Sequence, residues 1–177
     1  MTRRGCTWLV AVVLLSACAS IPDVSGREGV TVIAGIPDFA EQLRRDDCAG
    51  VALSSLLAHA GLTVSPAEID TAVYDPRLGG ALLPDLERFS AKAGATPRSG
   101  RGSMAEVRSL LASGRPLLVP LDMGWGPWRR PHYVVVYGFG PETFLMHLRH
   151  DETLNMPAAE FDRRWAGMGR LYLYLEQ

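Results

Sequence analysis

Cysteine is scarce in this 177-residue chain: Cys6, Cys18 and Cys48 are the whole complement. That excludes the disulfide framework that staples small secreted domains. There is no long run of lysine and arginine, the formal charge is −1, and no stacked-aromatic motif of a nucleic-acid binder occurs. Nucleic acid is therefore not an expected partner. No internal repeat or low-complexity tract interrupts the chain, and the apolar run Trp8 to Leu15 is too short to span a bilayer as a stable helix. What is present is 47% apolar content, enough to build a core for one ordinary domain with a short appendage.

The appendage is N-terminal. Arg3 and Arg4, the apolar run, and then Leu15-Ser16-Ala17-Cys18 have the layout of a signal peptide. Small residues directly before a cysteine resemble the bacterial lipobox, in which the cysteine is lipidated and becomes the new N-terminus. Residues 1–17 are then a lipoprotein signal peptide, and 18–29 the lipidated end and a small, polar tether. The remaining 30–177 form the folded domain. Ala19 stands where an inner-membrane retention signal would carry Asp, so the resemblance implies sorting to the outer membrane, facing the periplasm. Attachment is expected from the lipid on Cys18, because no polybasic patch is available to supply it. With Cys6 removed and Cys18 acylated, Cys48 is a solitary thiol in an oxidising compartment, and its setting favours chemistry over inert burial.

That setting is Gln42 to Gly50 running into the apolar segment Val51 to Ala60. Asp46 or Asp47 can cap a helix that Gly61 ends, and its apolar residues on more than one face predict a central helix packed on both sides. Cys48 falls at its start, where free N–H groups and the helix dipole favour a thiolate. Val30 to Ala34 reads as a short strand before it. Ser65-Pro66 starts a helix through about Val73, a further helix covers Leu83 to Ala93, and Ser103 with Glu106 makes a capping box for another that ends near Ala112. Strands are expected at Leu117 to Leu121, Tyr133 to Tyr137, Phe144 to Leu148 and Leu171 to Leu175, with a hairpin turn at Gly138 to Glu142. Pro157 to Trp165 reads as a helix or helical turn. Helices first and an antiparallel sheet afterwards make an α+β domain.

A nucleophilic thiol needs a base. His59 lies eleven positions along the helix, roughly 16 Å from Cys48 at about 1.5 Å per residue, which rules it out. His132, at the start of a strand that can pack on the helix, is the better candidate. His147, on the neighbouring strand, could hold the second nitrogen of His132; Asp151 is the alternative. His150 reads as a solvated loop residue. The Gln42 amide and the Cys48 N–H could together form an oxyanion hole. Cys48, His132 and His147 lack the paired short spacing of a structural zinc site, so neither metal nor cofactor is expected. Trp125 and Trp128 flank Gly126-Pro127 just before His132 and could wall a cleft.

So assembled, the chain resembles the bacteriocin-processing, or double-glycine, type of papain-like cysteine peptidase in a stand-alone lipoprotein form. Ile36-Pro37 and Gln42 to Cys48 resemble that family's approach loop, oxyanion glutamine and nucleophile. Gly80 to Gly94, and Leu110 to Val119 around Gly114-Arg115-Pro116, resemble its middle helices and the strand after them. Trp128 to Gly138 is similar to its histidine strand, and Phe161 to Trp165 with Leu171 to Leu175 to its C-terminal end. The resemblance implies a papain-like fold and a thiol peptidase acting on a peptide or protein. Two positions depart from the pattern: Cys48-Ala49-Gly50 replaces the usual Cys-Gly, and His147 stands where the family has Asp or Asn. Asp47-Cys48-Ala49-Gly50 also resembles the Asp-Cys-Ser-Gly of NlpC-type cell-wall endopeptidases. An inactive papain-like module that binds a peptide or a secretion or envelope partner is the alternative from another class.

Overall fold

The structure is a computed structural model and describes residues 29–40 and 47–176. Two features that organise the sequence reading, Cys18 with its leader and Gln42, lie outside the described residues.

Helix α1, Cys48–His59, follows Asp47 and ends at Ala60 before Gly61, whose φ of 81° reverses the chain. Asp47 occupies the N-cap position, but its side chain makes no capping bond. Helix α2, Pro66–Val73, begins as expected, with Ser65 Oγ accepting the Glu68 N–H at 3.2 Å. Helix α3 is Leu83–Lys92, and α4 is Met104–Ala112, capped by Ser103 Oγ on the Glu106 N–H. The reciprocal half of the expected capping box does not form, because the Glu106 carboxylate accepts the Tyr172 hydroxyl at 2.8 Å. Helix α5, Ala158–Ala166, comes just before the last strand.

The strands are β1 (Thr31–Val32), β2 (Thr96–Arg101), β3 (Leu117–Asp122), β4 (Pro131–Phe139), β5 (Thr143–Arg149), β6 (Glu152–Pro157) and β7 (Leu171–Glu176). They form one antiparallel sheet in the order β2-β7-β3-β4-β5-β6, and β1 pairs with the far end of β4. The four apolar strands read from sequence are all there. Two strands were not expected: β2 and β6, which form the two edges. Edge strands bury little and pair on one side, so polar residues, Pro97 and Gly100 suffice for β2.

Alternation along β4 sends Tyr133 and Val135 to one face and Val134 and Val136 to the other. The first face carries α1, backed by α2 and α3; the second carries α4 and α5. The helix of the thiol is thus wrapped by core on both sides, with Ala52, Leu53 and Leu57 fully buried. Gly50 sets how closely α1 and α2 approach: a Cβ there would sit 2.6 Å from Asp70 Oδ1 and 2.8 Å from the Pro66 carbonyl. Among the described residues, no helix is long and apolar enough to cross a membrane.

Candidate active site

Cys48 is the first residue of α1, so its N–H is one of those at a helix start that have no intrahelical acceptor. Its side chain is 9% exposed and reaches toward β4, where the Tyr133 main-chain N–H lies against the sulfur. Tyr133 follows His132 in β4, so the thiol packs against the backbone next to the candidate base, while strand alternation gives the His132 side chain the parity of Val134 and Val136 rather than that of Tyr133.

The expectation of a preformed thiolate is not met. Burial pushes the Cys48 thiol up from its ordinary value. N–H groups of Tyr133 and Ala49 act in the opposite direction, but the carboxylates of Asp47 and Asp70 add to the rise. Helix-start donors alone did not decide the outcome: the desolvation of a buried sulfur and two nearby carboxylates outweigh them. Ala49 is 2% exposed and belongs to the core cluster packed around α1.

His132 is 8% exposed, and its Nε2 lies 2.8 Å from the Leu148 carbonyl. A carbonyl can only accept, so Nε2 carries the proton and Nδ1 is left with its lone pair. Burial lowers the His132 pKa from its ordinary value, with smaller contributions in the same sense from Arg149 and Arg130; the Leu148 carbonyl and Glu152 act against it. Thiol and imidazole are both held in their neutral forms.

The role expected for His147 goes instead to the main chain of Leu148. His147 pairs with Val135 across the β4–β5 ladder, which puts its side chain on the Val135 face and three positions further along β4 than His132. There its ring stacks on Tyr137 at 4.6 Å between centroids and tilts against Phe39 at 5.7 Å. Its Nδ1 faces Asp38 Oδ1 at 3.4 Å. Asp151, the alternative orienter, is exposed in the β5–β6 turn, paired with His150 at 3.2 Å. His150 is more engaged than a solvated loop residue, since its Nδ1 lies 2.7 Å from the Phe39 carbonyl.

These contacts belong to the approach loop, described as far as Ala40. On one side it is tied to α1, by Ser55 Oγ donating to the Pro37 carbonyl and by His59 Nδ1 at 3.2 Å from the Gly35 carbonyl. On the other it meets the β5–β6 turn, where the Asp151 N–H donates to Asp38 Oδ2 at 3.1 Å. Asp38, Leu148 and Tyr133 were not singled out from sequence, and two of them contribute only main-chain atoms. His59, set aside as a base, has a structural contact in this loop. Trp125 and Trp128 are 83% and 70% exposed on the β3–β4 hairpin. The neck of that hairpin is closed by Asp122, which accepts the N–H groups of Gly124 and Arg130, both at 3.0 Å.

A thiol at a helix start, a histidine at the head of an adjoining strand and helices on both faces of an antiparallel sheet define the class: an α+β domain of the papain-like cysteine peptidase type. Residues 38–172 match the Peptidase C39 family, and the chain belongs to that family of cysteine peptidases, which are hydrolases. No curated protein matches the sequence significantly. Among solved structures, the fold is similar to a C39-like peptidase from Bacillus anthracis, with a TM-score of 0.68 and 16% identity over 84% of this chain and 98% of that one. The peptidase domain of Streptococcus ComA, a bifunctional ABC transporter involved in quorum sensing, gives 0.63 and 22% identity over 78% and 96%. A double-glycine-motif protease from an AMS/PCAT transporter, in complex with a leader peptide, gives 0.64 and 17% over 82% and 95%.

Proposed function

We propose that the protein is a lipid-anchored thiol peptidase that cleaves peptide bonds through an acyl-enzyme on Cys48, with His132 as base. The observation that carries this reading is the seating of the Cys48 sulfur against the amide of the residue next to His132, whose Nε2 is already taken by Leu148. His132 Nδ1 takes the thiol proton as sulfur attacks the peptide carbonyl carbon. The oxyanion is received by the Cys48 N–H and the Gln42 amide. His132 then protonates the departing amine, and the C–N bond breaks to leave a thioester. Water, deprotonated by His132, attacks the thioester carbonyl; the C–S bond breaks, a carboxylic acid leaves and the thiol is restored. The pair starts neutral, so charge is generated only as the bond forms, and the oxyanion donors carry correspondingly more of the stabilisation.

A peptide electrophile directed at thiols tests the nucleophile: wild type is labelled and Cys48→Ala is not. Equal labelling of the two sinks the assignment. The peptide class of substrate is supported by the leader-peptide complex of one structural relative, and trapping on Cys48→Ala identifies the bound species. Cell-wall muropeptides in the trap would move the reading to the NlpC-type activity. Anchoring rests on Leu15-Ser16-Ala17-Cys18; palmitate incorporation that survives Cys18→Ser refutes it, and membrane fractionation tests the outer-membrane location. One observation favours a binding-only module, the burial and raised pKa of the thiol. That reading takes over if wild type retains peptide without labelling or turnover.

A further inference from the structure

The two most exposed large apolar side chains among the described residues stand together, at the tip of the β3–β4 hairpin. Trp125 is 83% exposed and Trp128 70%, so no described part of the domain covers either indole. We infer that this tip inserts into the interface of an anionic lipid bilayer. The inference is separate from the chemistry at Cys48, but it shares one premise with the proposed function, a protein held at a membrane.

The tip is held in one shape. Trp125 and Trp128 form an antiparallel bridge, with the Trp128 N–H donating to the Trp125 carbonyl at 3.2 Å. Between them Gly126, at a φ of 60°, supplies the left-handed position of a tight turn, and Pro127 fixes the next φ. Below the turn, the Met123 N–H donates to the Arg130 carbonyl at 2.9 Å, and Asp122 Oδ1 accepts the Gly124 and Arg130 N–H groups. Arg129 Nη1 reaches back to the Gly167 carbonyl at 2.6 Å and braces the hairpin against the end of α5. Little backbone freedom is left to lose when the indoles become covered, which lowers the cost of contact.

Charge identifies the partner. Arg129 and Arg130 follow Trp128 directly, and neither forms an ion pair with a carboxylate among the described residues. The whole chain carries a formal charge of −1, so two adjacent cations beside exposed aromatic surface are a local excess. Indoles flanked by arginines match a bilayer interface, where the rings sit at headgroup level and the cations meet anionic lipid. A peptide cleft would need a second wall, and none covers these rings.

The path of the chain permits the contact. β1 pairs with Phe139 and Gly138, and a Cβ on Gly29 would meet Pro141 at 3.6 Å. The chain therefore enters the domain at the β4–β5 turn, the end of β4 away from the tip. Nine residues of β4 cover roughly 27 Å at about 3.4 Å per residue. Residues 18–28, fully extended, reach at most about 38 Å. A lipid on Cys18 and the tip can thus meet one bilayer, with the domain lying along it and the His132 end of β4 at its surface.

The test uses the full chain carrying Trp8→Phe and Cys18→Ser, so that no lipid anchors it. Its tryptophans are then Trp125, Trp128 and the fully buried Trp165, and only the first two can report on lipid. Vesicles of phosphatidylethanolamine with phosphatidylglycerol should move the emission to the blue, and nitroxide-labelled lipid should quench it. Adding Arg129→Gln and Arg130→Gln should raise the lipid concentration at the midpoint at least about tenfold, since each cation near an anionic surface is worth roughly fivefold. Vesicles of phosphatidylcholine alone should bind both chains equally weakly. Trp125→Ala with Trp128→Ala should leave the KM for a soluble peptide unchanged. Emission and quenching that vesicles do not alter overturn the inference. A raised KM in the double tryptophan variant, with no response of the parent to vesicles, overturns it in favour of a cleft wall. Because the anchor is absent throughout, failure here leaves the Cys18 reading to its own palmitate test.

Discussion

His132 and His147 are buried to nearly the same degree, and burial lowers the pKa of both, yet they occupy different environments. His132, at the head of β4, has one nitrogen fixed by a neutral carbonyl and lies beside the residue that meets the thiol. His147, in the middle of β5, is enclosed by Tyr137 and Phe39 and faces a carboxylate. Burial and a shifted pKa therefore do not distinguish a base from a packed histidine; the partners of each ring do, a main-chain carbonyl for His132 and two aromatic rings with a carboxylate for His147.

The largest expected effect separates the two directly. His132→Ala should lower kcat/KM on a fluorogenic peptide by about 10³-fold, within the range for loss of a general base. His147→Ala should change it by less than about tenfold. Comparable losses in the two variants would erase the distinction. Stability should reverse the order, because His147→Ala empties a site between two aromatic rings and should cost about 1–3 kcal/mol, read as a fall in Tm.

The pH profile sharpens the comparison further. His132 can accept a proton only when neutral, and its folded pKa lies below the ordinary 6.5. The acid limb of kcat/KM should therefore fall below pH 6.5, with full activity above it, until the thiol ionises past its ordinary 9.0. The same depression affects stability. Below 6.5 the unfolded chain binds the proton more readily than the folded one, so the His132 contribution declines as pH falls toward the folded pKa. An acid limb above 6.5 contradicts the neutral pair. The smallest expected change in activity is for Leu148→Ala. It removes a side chain from the core, costing about 2–4 kcal/mol, but leaves the carbonyl in place. Turnover per folded molecule should stay within about threefold, and a much greater loss would show that the side chain itself positions the base.

What was legible in the sequence follows from where the information is stored. The nucleophile helix, the Ser65 and Ser103 caps and the four apolar strands are written in local pattern, and each appears near its expected limits. β2 was not legible because its pairing depends on β7, where glycines make room for a ring: a Cβ at Gly100 would meet Tyr172 Oη at 3.2 Å. In the candidate site, Cys48 and His132 could be found as residue types. The acceptor for His132 could not, since every residue has a carbonyl and only the β4–β5 geometry selects that of Leu148. The direction of the Cys48 shift was hidden for a similar reason: it comes first from the burial of the sulfur, which only the packed fold sets, with the charges of Asp47 and Asp70 adding to it.

Gly50 has a consequence for chemistry although it takes no part in it. With backbone and carboxylate oxygens where a Cβ would stand, its missing side chain works as a spacer gauge between α1 and α2. Attack on a carbonyl tolerates little error in reach, with reacting atoms about 3–3.5 Å apart. Thickening the gauge by one methyl group would push the nucleophile helix off its bearing, so the accuracy of the thiol's aim is machined on the side of the helix that substrate never meets.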